Sequence, residues 1–476
     1  MKKIASIITK ENIENLKLIC GENGWTDAED INEKYLSEER NFYKSYSPII
    51  LRPDSTLKIS NILKYCYKKN IPIVPQGGNT GLVGGTVSGH ISNEIILNLE
   101  KMNKVRELSH TDSVLIVEAG VKLHEVQSIA KSINKFFPLS LASEGTCQIG
   151  GNLATNAGGV HVIKYGNARD LALGLEVVLA DGTIINGLKK LRKDNSGYNL
   201  NQLFIGSEGT LGIITAASLK LFPIPYEVNT ILLALDSLEN AIEIMNELKK
   251  IYLERLSALE FFSNFSLEIV LKNTTNTMRP FEKNYPWYIL IDIEGTPDTN
   301  HNSNSIENFL FENLKKNTIK DGIVAKNLKE KENFWKLRDS IPYAQKPEGA
   351  SIKHDISIPI SKISQFLDES TKKIHKAIPN IRPCIFGHLG DGNIHFNLSK
   401  PIQMENLVFE EYQDKINKII FDIVINYNGS ISAEHGIGLV KKEAIKNYKD
   451  KSEITIMKNI KKIFDEKNIL NPGKLI

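Results

Sequence analysis

The feature that most constrains the fold is a glycine-rich run at residues 75–85, PQGGNTGLVGG. Five glycines in this run leave a nearly bare backbone, and glycine permits the positive φ angles and close approach that ligand-binding loops need. The apolar residues 71–74 predict a buried strand that presents the loop at its carboxyl end, where ligands commonly bind. The run therefore predicts a phosphate-binding loop, with a ligand-free turn as the alternative.

The spacing of these glycines lacks the GxGxxG fingerprint of a dinucleotide-binding Rossmann fold, so a Rossmann NAD site is not expected. A second loop of small residues lies at 143–159, SEGTCQIGGNLATNAGG. Its polar side chains are suited to bind phosphates or the edge of a heterocycle. Two such loops, called cradles below, predict an elongated ligand that is bound at both of its ends.

Composition excludes several classes of function. The 476 residues imply two or three domains, and a net charge of +3 gives no support for a nucleic acid or membrane partner. No apolar run reaches the length of a membrane span, and the amino terminus lacks the apolar core of a signal peptide. The four cysteines form no CxxC pair. A cytoplasmic protein is predicted.

Two further motifs follow the glycine loops, LRKDNSGY at 191–198 and FIGSEGTLGIIT at 204–215. In this order and spacing the four motifs resemble FAD-dependent dehydrogenases of the vanillyl-alcohol-oxidase type. The strongest resemblance is to the D-2-hydroxyglutarate, D-lactate and glycolate dehydrogenases, and it extends from about residue 47 to residue 476.

The chain is predicted to be an α+β protein with three segments. Prolines at alternate positions in residues 222–225 mark a boundary, and beyond it strands alternate with long amphipathic helices, as in an α+β domain. The resemblance implies a two-subdomain FAD-binding domain over 1–224 and a substrate (cap) domain with an antiparallel sheet over 225–428. It also implies that residues 429–476 return to complete the FAD site.

The resemblance assigns FAD to the two cradles. The glycine loops would hold the diphosphate, the ribityl chain and part of the ring, with Ile213 and Ile214 near the adenine and Asn471 at the flavin. The full set of predicted cofactor-binding residues is Pro75, Gly77, Gly78, Asn79, Thr80, Gly81, Leu82, Ser143, Gly145, Thr146, Gly150, Gly151, Asn152, Thr155, Ala157, Gly158, Ile213, Ile214 and Asn471.

A second chemical cluster lies at 385–398, IFGHLGDGNIHFNL. The Asp391-Gly392 pair predicts a hairpin that folds His388 back beside His395, and two converging imidazoles are compatible with a divalent metal. Two hydrogen-bonded core histidines are the alternative. The resemblance implies that His388, His395 and Glu434 bind a zinc-like ion and that His435 acts as the base.

Two cations and one amide complete the predicted substrate site. A lysine within the strand pattern at 351–358 is poorly placed unless it meets an anion, and the resemblance implies that Arg338 and Lys353 bind substrate carboxylate. Alternation along the second hairpin strand puts Asn397 on the same face as His395. Pro342 departs from the family pattern, because hydroxyglutarate enzymes often carry a hydroxyl residue there.

These patterns predict a dehydrogenase that oxidises a D-2-hydroxy acid, D-2-hydroxyglutarate or D-malate first and D-lactate or glycolate as the alternative. Its electron acceptor would be a quinone, a cytochrome or an electron-transfer flavoprotein, which would bring the protein to the membrane periphery, and a homodimer is compatible with the pattern. A metal-dependent hydrolase and a non-catalytic FAD-binding subunit are the readings from other classes. The yellow colour of bound flavin would separate the dehydrogenase from the metal-dependent hydrolase.

Overall fold

The computed structural model describes residues 8–40, 43–88, 94–295 and 299–476. Apart from short 3-10 turns, its helices are α1 (Lys10–Cys20), α2 (Thr56–Lys69), α3 (Leu123–Ser132), α4 (Ile149–Ala154), α5 (Val162–Tyr165), α6 (Ala168–Leu171), α7 (Asn201–Phe204), α8 (Leu238–Tyr252), α9 (Asn264–Asn273), α10 (Thr299–Lys315), α11 (Leu328–Asp339), α12 (Ile341–Ala344), α13 (Ile363–Ala377), α14 (Asn406–Glu410), α15 (Gln413–Asn426), α16 (Lys442–Tyr448) and α17 (Lys451–Phe464). Within the described part, none of these helices is long and apolar enough to cross a membrane.

The strands are β1 (Trp25–Asp27), β2 (Ile49–Leu51), β3 (Ile73–Gln76), β4 (Ile95–Asn98), β5 (Val105–Ser109), β6 (Val114–Glu118), β7 (Lys135–Phe136), β8 (Ala172–Val178), β9 (Ile184–Asn186), β10 (Ile213–Lys220), β11 (Phe222–Pro223), β12 (Val228–Leu235), β13 (Leu256–Ser263), β14 (Trp287–Glu294), β15 (Asp321–Val324), β16 (Ser351–Ile352), β17 (Asp355–Ser357), β18 (Arg382–His388) and β19 (Asn393–Ser399).

The chain forms two compact units. The first comprises Met1–Gly159, Gly166–Ile224 and Glu434–Ile476, and the second comprises Val160–Tyr165 and Pro225–Ala433. The last segment of the first unit thus begins at residue 434, whereas the sequence prediction started it at 429. The short segment 160–165, which contains α5, belongs to the second unit, although it lies within the sequence of the first.

The first unit contains the βαβ arrangement that the sequence predicts. Helix α2 begins at Ser55, whose side-chain oxygen accepts the Lys58 N–H, and ends at Asn70 in the left-handed conformation. Strand β4 lies between β2 and β3 and runs parallel to both, in the sheet order β1-β2-β4-β3. The first glycine loop therefore leaves the sheet at the carboxyl end of β3.

The carboxyl-terminal segment is built into the first unit through backbone hydrogen bonds. The N–H of Ile73 donates to the carbonyl of Ile469 at 2.7 Å, and the N–H of Asn471 donates to the carbonyl of Ile73 at 2.7 Å. Leu470 is fully buried in the same apolar core as β2, β3 and β4. A second, antiparallel sheet of order β5-β6-β10-β8-β9 contains β10, which follows the FIGSEGTLG motif.

The second unit is built on an antiparallel sheet with the order β15-β12-β14-β13-β18-β19-β16, and β17 also pairs with β19. The hairpin predicted at Asp391-Gly392 is confirmed, since β18 and β19 pair directly and Gly392 has φ +84°. The single strand predicted over 351–358 is instead divided into β16 and β17. Buried His354 lies at the break, where its ring bonds to the Phe396 carbonyl and to Asn417.

Candidate active site

The two glycine loops of the first unit pack against each other backbone to backbone. A Cβ on Gly78 would stand 2.2 Å from the carbonyl oxygen of Thr146, and one on Gly77 would stand 3.7 Å from the backbone nitrogen of Gly151. The Gly78 contact leaves no room for any side chain. This glycine is therefore needed for the contact between the loops.

The other side of the loops is open. Within the part of the chain that the structure describes, a Cβ on Gly81, Gly145 or Gly151 would meet no atom within 4 Å. Beside them, Oε1 of Gln148 and Nδ2 of Asn152 are buried without a hydrogen-bond partner among the described residues. Because buried polar atoms are rarely left unpaired, this arrangement fits a ligand that presents polar atoms to the loops.

Several predicted cradle side chains already form hydrogen bonds within the first unit. Nδ2 of Asn79 donates to the carbonyls of Lys34 and Ser37 at 2.8 and 2.7 Å. The hydroxyl of Thr155 donates to a carbonyl one helical turn back, and that of Thr146 donates to the Ser143 carbonyl. The remaining predicted residues of the cradle are partly or fully buried in the same unit, namely Pro75, Thr80, Leu82, Gly150, Ala157, Gly158, Ile213 and Ile214.

Glu208 joins the cofactor motifs to the segment that follows His435. Its two carboxylate oxygens accept the N–H groups of Ile437 and Gly438 at 2.7 and 2.8 Å, and its carbonyl accepts Nδ2 of Asn471 at 2.7 Å. Burial raises the pKa of Glu208, although these two N–H groups oppose the rise. Glu208 has φ +52°, so the motif turns sharply at this residue. Three segments of the first unit are thereby held in one place.

In the second unit the two predicted metal-binding histidines lie side by side. His388 ends β18 and His395 lies in β19, with ring centroids 5.8 Å apart. The strand register places His395 opposite Phe386, whose ring lies 4.7 Å from the imidazole. The hairpin thus brings the two imidazoles close enough to face one ion.

Glu260 lies between His388 and Arg338. This carboxylate is fully buried in β13, with Oε1 at 2.6 Å from Nδ1 of His388 and Oε2 at 2.7 Å from a terminal nitrogen of Arg338. Burial would raise the pKa of Glu260, but the charges of His388 and Arg338 outweigh it and hold that pKa below its usual value. With Nδ1 bonded to Glu260, His388 would bind a metal through Nε2.

Asn397, the predicted amide of the substrate site, lies directly opposite Cys384 in the hairpin. Nδ2 of Asn397 donates to Oε1 of buried Gln345 at 3.2 Å, which orients the amide. Burial raises the pKa of the Cys384 thiol to about 12, and the charges of Lys353 and Arg338 oppose this rise. The oriented amide of Asn397 lies in the same strand as His395.

Pro342 lies in the short helix α12, which follows α11 and its Arg338. It offers no hydroxyl at the position where the resemblance implied one.

Glu434 and His435 begin the last segment of the first unit. Glu434 directly follows Ala433, whose N–H donates to the carbonyl of Asp355 at 3.4 Å. Asp355 is paired in register with His395. The second unit therefore ends at Ala433, whose backbone is bonded to β17.

Three residues of this arrangement were missed in the sequence, namely Glu208, Glu260 and Gln345. Glu260 did carry a signal, because it interrupts the apolar strand pattern ALEFF at 258–262. A charge buried in such a strand requires a compensating partner. Gln345 carried no comparable signal, since an isolated glutamine after a short helix is common on protein surfaces.

Comparison with known protein families finds two matches that together span most of the chain. Residues 47–187 match the FAD binding domain, and residues 224–475 match the C-terminal domain of FAD linked oxidases. The chain is 36% identical to D-2-hydroxyglutarate dehydrogenase of Arabidopsis thaliana, over 99% of this chain and 82% of the relative. It is 38% identical to the Danio rerio protein of the same name, over 90% and 78%.

Solved structures show the same fold. The chain matches p-cresol methylhydroxylase with a TM-score of 0.75 at 15% identity, covering 98% of this chain and 97% of that one. It matches alkyldihydroxyacetonephosphate synthase with a TM-score of 0.76 at 18% identity, covering 98% and 84%. The predicted vanillyl-alcohol-oxidase type of fold, with its antiparallel cap-domain sheet, is confirmed.

The predicted location, in the cytoplasm or at the periphery of the membrane, is wrong by comparison with the relatives of similar sequence. The similar proteins of Arabidopsis thaliana, Danio rerio and Rattus norvegicus are all named mitochondrial. The sequence argument had relied on the absence of a signal peptide, which does not address targeting to an organelle.

The two matched domains, the near full-length relatives and the loops that fit a cofactor agree, and the chain belongs to the family of FAD-linked oxidases that includes the D-2-hydroxyglutarate dehydrogenases.

Proposed function

We propose that this protein is an FAD-dependent dehydrogenase that oxidises a D-2-hydroxy acid to the 2-oxo acid, with D-2-hydroxyglutarate or D-malate as the preferred substrate. The observation that carries the proposal is the group of site residues in the second unit: two adjacent imidazoles and an oriented amide on the β18–β19 hairpin, with Arg338 joined to His388 through Glu260. This group suits a hydroxy acid that presents a hydroxyl and carboxylates.

The open side of the glycine loops would hold FAD, which supplies a hydride acceptor when bound. Gln148 and Asn152 offer unpaired polar atoms to such a ligand, and Oδ1 of Asn471 is likewise buried without a partner in the described part of the chain. The electron acceptor that reoxidises the enzyme lies outside this chain.

A divalent metal, for which zinc is the expected ion, would be bound by His388 through Nε2, by His395 and by Glu434. Two imidazoles and one carboxylate form a donor set typical of catalytic zinc, which acts as a Lewis acid when bound. Glu434 enters the proposal because it directly follows Ala433, whose N–H is bonded to the strand beside His395.

The chain's own residues would bind and deprotonate the substrate. His435 would accept the hydroxyl proton at an imidazole nitrogen, as a histidine can near neutral pH. Asn397, held by Gln345, would donate to the carboxylate next to the hydroxyl. Arg338 and Lys353 would bind the carboxylates, and a substrate with two carboxylates uses both cations.

D-lactate is the second candidate substrate, and two observations favour it. Arg338 is already paired with Glu260, and Pro342 provides no hydroxyl for a distal carboxylate. A related protein of Schizosaccharomyces pombe is named a putative D-lactate dehydrogenase, at 34% identity over 98% of this chain and 90% of the relative.

Anaerobic reduction of the purified flavoprotein tests the proposal. Stoichiometric D-2-hydroxyglutarate, D-malate, D-lactate or the L-enantiomer of each is mixed with the enzyme, and loss of the visible flavin band is followed in time. We expect rapid bleaching with the D-dicarboxylates and none with the L-enantiomers. Faster bleaching with D-lactate would select the second candidate, and a colourless protein would contradict the proposal as a whole.

A further inference from the structure

We infer that Glu260 is a positioning residue that serves the metal-binding His388 and the substrate-binding Arg338 at once. The inference rests on the proposed function, because it concerns how two residues of that site are held. No sequence motif pointed to Glu260; its role follows from the contacts that its two oxygens make.

The position of Glu260 follows from the sheet. In the antiparallel register of β13 and β18, Glu260 lies directly opposite His388, so the two side chains leave the sheet on the same face. Helix α11 packs on that face through Phe334 and Leu337, and this packing brings Arg338 to the same carboxylate. One oxygen faces the imidazole and the other faces the guanidinium, at 2.6 and 2.7 Å.

A purely structural role is a poor explanation for this carboxylate. Glu260 and Arg338 are 0% and 5% exposed, and burying an ion pair costs so much desolvation that apolar residues of similar volume often stabilise a protein equally well. The flanking residues Leu259 and Phe261 are themselves buried and apolar. A charged residue at the centre of such a strand therefore indicates that Glu260 orients its two partners.

Glu260 fixes the tautomer and the ring orientation of His388. A carboxylate that accepts the Nδ1–H leaves the Nε2 lone pair for a metal, and carboxylate partners of this kind raise both the basicity and the affinity of a histidine ligand. Without Glu260 the ring could rotate or take the other tautomer. Metal affinity would then fall even though no ligand had been removed.

The role toward Arg338 is to fix the position of its guanidinium. Glu260 forms an ion pair with one terminal nitrogen at 2.7 Å, and the guanidinium lies over the Phe386 ring at 4.8 Å from the ring centroid. Nε of Arg338 is buried without a hydrogen-bond partner among the described residues. A guanidinium held at one edge and unpaired at Nε is prepared to bind a substrate carboxylate without reorganising.

Zinc affinity in matched variants tests the inference. Flavin-loaded, metal-stripped protein is titrated with Zn²⁺ in competition with a chelating dye, for wild type, Glu260→Gln and Asp292→Asn. Asp292 is a matched control, since it is a buried carboxylate on the adjacent strand that bonds to Thr230 and Trp335 instead. We expect Glu260→Gln to bind Zn²⁺ about 10- to 100-fold more weakly and Asp292→Asn to bind it as wild type does.

Glu260→Gln leaves Arg338 buried without its carboxylate and could fold poorly for that reason. A second pair of variants therefore tests the inference independently. Arg338→Met keeps the contact between Glu260 and His388, whereas Glu260→Gln/Arg338→Met removes it without leaving an unpaired charge. We expect wild-type Zn²⁺ affinity with a raised KM in the single variant and weak Zn²⁺ binding in the double variant. Equal Zn²⁺ affinity in these two variants, or wild-type affinity in Glu260→Gln, overturns the inference.

The same Zn²⁺ titration distinguishes failure of the proposed function from failure of the inference about Glu260. A wild-type protein that binds no Zn²⁺, or one whose Zn²⁺ affinity is unchanged by His395→Ala, overturns the proposed metal centre itself and the inference with it. Zn²⁺ binding that requires His395 but does not depend on Glu260 leaves the proposed function intact and removes only the inference.

Discussion

The carboxyl-terminal segment contains a buried lysine, and its titration should change the free energy of unfolding of the protein. Lys474 is 1% exposed, and its Nζ is 3.8 Å from a carboxylate oxygen of Glu94 without a hydrogen-bond partner among the described residues. Burial lowers the pKa of Lys474 from 10.5 to about 8; Glu94 opposes this change, and Lys442 adds to it. Replacement of Lys474 by methionine removes the titration and keeps most of the apolar volume.

The sign and magnitude follow from proton linkage. Between pH 8 and pH 10.5 the unfolded chain holds the Lys474 proton and the folded chain has lost it, so the free energy of unfolding rises with pH in this window. The slope approaches about 1.4 kcal/mol for each pH unit, and the whole window is worth about 3 kcal/mol. Below pH 8 both states are protonated, and the contribution no longer changes.

The assay is urea unfolding at constant excess FAD from pH 7 to pH 10.5, on wild type, Lys474→Met and Lys458→Met. Lys458 is an exposed lysine of α17 and serves as the control. We expect the stability of wild type relative to Lys474→Met to rise by about 3 kcal/mol across the window. The control should follow wild type at every pH. Parallel curves for wild type and Lys474→Met would refute the reasoning.

Three further predictions concern the site. Lys353→Met should lower kcat/KM about 10- to 100-fold more for a D-dicarboxylate than for D-lactate, because it removes one charge-assisted contact; equal losses would contradict a dicarboxylate site. Gly78→Val should give poorly folded protein, whereas Gly151→Val should fold and lose flavin, as measured by the ratio of visible to protein absorbance; normal flavin content in folded Gly151→Val would contradict the proposed cradle. His395→Ala should retain flavin and lose both Zn²⁺ and substrate oxidation, and full activity in metal-free His395→Ala would exclude the metal.

The sequence predicted those parts of the fold that depend on local signals. The capped helix α2, the strand before the first glycine loop and the hairpin at Asp391-Gly392 each follow from residues close together in the chain. Positive φ and close approach of the backbone are the two reasons for glycine in ligand-binding loops, and positive φ does not apply at Gly78 or Gly151. Gly78 is required because Thr146 leaves no room for a Cβ, and Gly151 faces open space.

The contacts that organise the site join residues far apart in sequence and could not be predicted from local patterns. Glu208 reaches the segment after His435 only because that segment returns to the first unit, and its φ of +52° is unusual for a residue with a long side chain. Glu260 meets Arg338 through the packing of a helix on a sheet. Neither side chain would be chosen by a motif search, because the partners are defined by the tertiary structure.

Substrate choice shows why this matters. From the sequence, Arg338 and Lys353 counted as two equal cations, and two cations favour a dicarboxylate. In the structure Arg338 shares its charge with Glu260 at 2.7 Å, so a carboxylate that binds Arg338 competes with a resident one. The contribution of Arg338 to substrate binding then depends on geometry rather than on net charge, since the guanidinium N–H groups that do not face Glu260 keep a fixed direction. Arg338→Met is therefore a poor probe of the number of substrate carboxylates, because it also removes the partner of Glu260, and Lys353→Met is the variant that tests D-2-hydroxyglutarate against D-lactate.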